Sequence, residues 1–134
     1  MRKLDIISNL AIGGIIGSYI LIIADFTAAF SQRGYSFVRD SISNLTLASM
    51  GWIQIIGFLA IGLFIELFVA GILITIPKRS GFSLGVSLLS FFGFGMLLMG
   101  AFRSDPSHVP YTTEGIIHLI ASAMVFWLFP IDSM

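Results

Sequence analysis

Four apolar runs separated by three polar breaks organise the chain: 7–30, 51–76, 82–102 and 115–131. The second run contains no Pro and exceeds the roughly 20 residues that cross a bilayer core as a helix, so it can span with some tilt. The first and third are also long enough, and the fourth is at the lower limit. This pattern predicts an all-α fold, a polytopic transmembrane helical bundle of four spans forming a single domain over residues 1–134. Arg2-Lys3 ahead of an apolar run resembles a signal peptide, but the run is long, contains Asp25 and is followed by further spans, so a retained first helix is expected. The run 115–131 ends without a basic anchor, so a fragment of a longer protein and a chain of four spans are both open readings.

The polar breaks set the expected orientation. With the N-terminus in the cytoplasm, Arg2, Lys3, Lys78 and Arg79 lie inside and Arg33, Arg39 and Arg103 outside. The bias is small, but Lys78-Arg79 sits in the shortest connection, where positive charge carries most topological information. The protein is then expected in the plasma membrane, with the 31–50 and 103–113 connections sharing the outer face. In the first of these, Asp40 or Ser41 can cap a short helix whose apolar positions Ile42, Leu45 and Ala48 recur at helical spacing. Such a segment serves as an interfacial elbow or a re-entrant lid, and Tyr35 and Trp52 fit an aromatic belt at the same level.

Composition agrees with the pattern. Of 134 residues, 57% are hydrophobic and 10% charged, against about 25% charged in soluble domains. The formal net charge of +0 and the lack of a basic block give no footprint for nucleic acid; the expected partners are membrane lipids and, through small-residue helix faces, further helices or a second copy. With Cys at 0, disulfides, thiolate ligands and cysteine nucleophiles are excluded from this chain. Gly57, Gly62, Gly93, Gly95 and Gly100 permit close helix approach, and Gly81-x-x-x-Gly85 has the spacing of tight helix pairs.

Glu66 is the polar exception within the second run. A carboxylate at that depth is costly facing lipid and is expected to meet protein. Ser83, Ser87 and Ser90, with Ser80 before them, form a stripe on one face of the third helix and are the expected partners, as a bundle network or as the wall of a polar cavity.

The candidate chemistry gathers at the outer face. Glu114 and His118 are four apart on the fourth helix, and Asp25 is placed at a similar depth on the first. With Arg39, Arg103 and Asp105 they make the expected ligand-binding set, although simple hydrogen bonding within the bundle uses the same residues. A His beside carboxylates can accept a proton, hold a head group or ligate a metal. Zinc ligands are scarce: the chain has His 2, at His108 and His118. No zinc-protease helix, phosphate loop or serine elbow occurs, and Ser41 and Ser43 stand without a base in the sequence.

Tyr35-Ser36, Ile42-Ser43-x-Leu45, Trp52, Phe102-x-x-Asp105-Pro106 and Gly115-x-x-His118 together resemble the integral membrane family designated domain of unknown function 998. The resemblance covers essentially the whole chain and implies a longer protein, of which this would be the N-terminal four-helix portion. It falls on Ser43, Asp105, Gly115 and His118, and so implies that the two outer connections and the start of the fourth helix form one shared feature. It implies no reaction, cofactor or metal. A more distant similarity, to membrane hydrolases with His, Asp and Ser near one face, would call for further histidines.

The expected function is binding or sensing of a lipid, small amphiphile or ion at the outer face. One alternative is a membrane-embedded, metal-assisted hydrolase using His118, Asp105 and Asp25 around an activated water, with Ser43 as a further candidate. Another is a structural or accessory subunit.

Overall fold

The computed structural model describes residues 2–106 and 108–128. Within them the chain forms helices α1 (Arg2–Ser31), α2 (Gly51–Thr75), α3 (Phe82–Ala101) and α4 (Thr113–Leu128), with a 3-10 helix, Ile42–Leu47, between the first two. The end of the expected fourth span, residues 129–131, lies outside the described residues. Three helices are long and apolar enough to cross a membrane, and α4 is a shorter apolar helix. At a rise of 1.5 Å per residue, α4 is about 24 Å long, against roughly 30 Å of hydrocarbon.

Local chemistry sets the boundaries. Ile76 leaves the helical region (φ −97, ψ 128) because Pro77 follows it. Gly81 begins α3 in the left-handed region at φ 81, where a side chain would be strained. At the other end of the bundle, Ser41 caps the 3-10 helix by accepting the Ser43 N–H at 3.3 Å. Asp40 instead closes the preceding turn, accepting the Ser36 N–H at 2.8 Å. The step into α2 needs Gly51, since a Cβ there would collide with the Thr46 backbone.

Among the described residues the helices pack in chain order, α1 on α2, α2 on α3 and α3 on α4, without direct packing of α1 on α4. Small residues set the crossings. Gly57 faces Ala24, Gly62 approaches the Gly93 carbonyl, and Gly95 lies beneath Val125. The expected Gly81-x-x-x-Gly85 contact does not form: both positions face open space, because Gly81 is spent on the turn and Gly85 points outward.

The shared core is small. Phe58, Ile61, Met96, Met99, Ala121 and Val125 bring α2, α3 and α4 together, while Ala28, Ala29 and Leu45 seat the 3-10 helix on α1. Outside it the helices present apolar surface, as at Ile23 (63% exposed) and Ile74 (73%). Water would not tolerate this much, whereas lipid is its ordinary solvent. Some hydroxyls in the spans are satisfied within their own helices, as when Ser18 donates to the Gly14 carbonyl and Thr75 to that of Gly71.

Candidate ligand site

The row of helices curves, leaving a groove between α1 and α4. A cavity of about 470 Å³ fills it, lined by side chains from every helix and from the 3-10 helix. Leu21 and Asp25 line it from α1, Phe58 from α2, Phe92, Met96 and Met99 from α3, and Val125 and Phe126 from α4. Ser41, Ile42 and Ser43 close one end. The volume lies within the range of small-molecule sites, about 300–1,000 Å³. The lining is apolar apart from one carboxylate and two serines, the serines belonging to the 3-10 helix and its cap.

Two residues far apart in sequence meet at that polar end. Ser43 Oγ lies 3.0 Å from His118 Nε2, and His118 Nδ1 lies 2.7 Å from the Phe102 carbonyl oxygen. A carbonyl can only accept, so Nδ1 carries the ring proton of the neutral imidazole and Nε2 accepts from the Ser43 hydroxyl. The ring is 3% exposed. Ser43 is itself held: its carbonyl accepts from Thr46 Oγ1 at 2.7 Å and from Ser104 Oγ at 3.1 Å. The α3–α4 connection and the 3-10 helix are therefore tied into one unit at the start of α4.

The other expected residues have separate tasks. Asp25 Oδ1 accepts from Gln54 Nε2 at 2.5 Å, across the α1–α2 interface. Asp105 takes the Thr112 N–H at 2.7 Å and the Thr112 hydroxyl at 2.8 Å, and Thr112 Oγ1 in turn accepts the Gly115 N–H at 3.1 Å. Asp105 thus organises the first turn of α4, lying where a Cβ on residue 115 would be. Glu114, Arg39, Arg103 and His108 are exposed and are not among the described residues lining the groove. Asp25, Asp105 and His118 thus each hydrogen-bond a different partner, and Asp25 lines the same groove as Ser43, the partner of His118. Among the described residues no three His, Cys, Asp or Glu side chains are grouped as a metal site.

Gln54 is a partner that sequence reasoning missed, hidden as one polar letter in a long apolar run. It is fully buried, and its Oε1 has no partner among the described residues. Tyr35 packs beside the Ala28, Ala29 and Leu45 cluster, with its hydroxyl buried and also without a partner there. Burial raises its phenol above the ordinary range, and the carboxylates of Asp40 and Asp25 push the same way, so the group stays a protonated donor.

A second polar spot lies between α2 and α3. Ser90 Oγ donates to Glu66, at 3.0 Å from Oε2, and Glu66 rests over Gly93. A cavity of about 300 Å³ adjoins them, lined also by Ser87, Phe91 and Phe94. Ser83 is exposed.

The tie between Ser43, Phe102 and His118 unites the motifs of the resembled family, and a family comparison decides the matter: residues 15–133 match the family described as Protein of unknown function (DUF998). The chain belongs to the DUF998 family. No curated protein and no solved structure matches it. In this DUF998 protein the matched region contains every described residue that lines the groove, from Leu21 to Phe126.

Proposed function

We propose that this DUF998 protein binds a single-chain amphiphile with a hydroxyl-bearing head, its acyl chain in the α1–α4 groove and its head at the Asp25, Ser41 and Ser43 end. The observation that carries this reading is the distribution of polarity along one cavity. Its lining is Phe, Met, Leu, Ile and Val apart from Asp25, Ser41 and Ser43, which come from the 3-10 helix with its cap and from the last two turns of α1, on which that helix packs. An acyl chain gains by leaving water for such a surface, while hydroxyls that enter with it need partners. Asp25 and the two serines supply them. The head would face outward in the plasma membrane, with the N-terminus cytoplasmic, on the charge bias of the connections.

The test is a photoreactive 1-acylglycerol, with its reactive group near the chain end, offered to the purified full chain in detergent. Ile42→Trp fills the groove mouth from an exposed position, and Ile74→Trp places the same bulk on the lipid-facing surface. Loss of crosslinking in Ile42→Trp alone supports the reading. Equal crosslinking in both variants and the native chain overturns it.

A further inference from the structure

We infer that the polar end of the groove is an acyl-transfer site, with Ser43 as nucleophile and His118 as its general base, acting on carboxylic esters of single-chain amphiphiles. This rests on the binding reading above, from which it takes the placement of the acyl chain.

Three features of the geometry carry it. The Ser43 hydroxyl is within hydrogen-bond reach of an imidazole nitrogen, at 3.0 Å. The Phe102 carbonyl fixes the tautomer that leaves that nitrogen free to take a proton, the orienting task a carboxylate performs in the familiar triads. And Ser43 lines the groove whereas His118 is buried behind it, so a bound ester meets the hydroxyl before the ring. Hydrogen bonds to the Ser43 carbonyl and N–H hold the nucleophile in register. Ser41 also lines the groove; its oxygen accepts the Ser43 N–H, and its own proton remains to be donated to a substrate oxygen.

The step balances with water as co-reactant. Ser43 Oγ attacks the ester carbonyl carbon as its proton passes to His118 Nε2. The tetrahedral adduct collapses, the carbon–oxygen bond to the alcohol breaks, and the departing alkoxide takes the proton from Nε2, leaving an acyl ester on Ser43. A water entering from the polar end then attacks that ester and gives its proton to Nε2. Collapse returns the proton to Ser43 Oγ and releases the fatty acid.

A fluorophosphonate bearing an alkyl chain tests the inference on the purified full chain. The expected result is one covalent adduct, mapped to Ser43, absent in Ser43→Ala and slowed in His118→Gln by about 100-fold or more, the scale of general-base assistance. Since His118→Gln also removes a tie between elements, a second measurement avoids it. Native Cys is 0, so Ser43→Cys and Ser41→Cys each carry a single thiol, and base assistance makes Ser43→Cys alkylate about tenfold faster. No adduct at Ser43, or equal alkylation of the two thiols, overturns the nucleophile assignment. Photocrosslinking in the same preparation separates the two readings. A chain that crosslinks the acylglycerol but forms no adduct binds without acyl transfer. An adduct at Ser43 without groove crosslinking defeats the binding reading, and with it the substrate class named here.

Discussion

Ser43 and His118 lie 75 positions apart in sequence and 3.0 Å apart in space, and their contact closes one end of the bundle. Through it the 3-10 helix is joined to α4, which packs directly only on α3 among the described residues. The hydroxyl, the ring and the Phe102 carbonyl come from three separate segments. A substitution that displaces α4 should therefore reach the groove.

Gly115→Ala is the most economical such displacement. A methyl there collides with the Asp105 carboxylate, and overpacking of this kind costs about 1–3 kcal/mol. The variant should melt earlier in detergent and lose groove crosslinking. Asp105→Asn, which keeps one acceptor oxygen, should cost less, about 0.5–2 kcal/mol, as for a weakened helix cap. Thermal melts of the two, read side by side, check the order.

Removing the Gln54 amide leaves the Asp25 carboxylate without its α2 partner. Gln54→Leu should cost about 1–3 kcal/mol for an unsatisfied group, and Asp25→Leu combined with it should recover part of that loss. A double-mutant cycle on thermal or denaturant stability measures the coupling; additivity would mean that the bond is not felt.

Glu66 and Ser90 give a milder expectation. Interhelical hydrogen bonds in membranes average about 0.6 kcal/mol and reach about 1.7, so Ser90→Ala should shift stability by that much. Glu66→Gln should retain the bond and fold normally. Little effect of Ser90→Ala once residue 66 is Leu, together with a clear effect in the native background, is the pattern of a direct contact.

Much of this architecture was legible in the chain because long apolar runs leave a membrane helix few alternatives. Ser41 as a cap and Glu66 as an internal carboxylate could be read locally. The site could not. Sequence spacing paired Glu114 with His118, yet Glu114 stays exposed while His118 is buried against Phe102 and Ser43. Asp105 was singled out by its motif, and its bonds to Thr112 at the head of α4 could not be read from spacing. Ser43 lacked a visible base because its partner comes from another helix, and Gln54 had no periodicity to mark it. Contacts between segments depend on how helices cross, and the crossings here are set by Gly57, Gly62 and Gly95 meeting particular neighbours.

Orientation is open to a direct check. Arg39 and Arg79 are exposed in connections at opposite ends of the bundle. In a chain without native Cys, Arg39→Cys should react with an impermeant maleimide in intact cells and Arg79→Cys only after permeabilisation. The reverse pattern would turn the groove's polar end to the cytoplasm.

The central claim is that an acyl chain occupies the α1–α4 groove, and mapping where the photoreactive 1-acylglycerol attaches tests it most directly. With the reactive group near the chain end, peptide mass spectrometry should locate the adduct on the groove lining of α3, between Phe92 and Met99, or on Val125 and Phe126 of α4. Adducts spread over lipid-facing residues such as Ile23, Ile74 and Leu84, with none in the groove, would contradict the account.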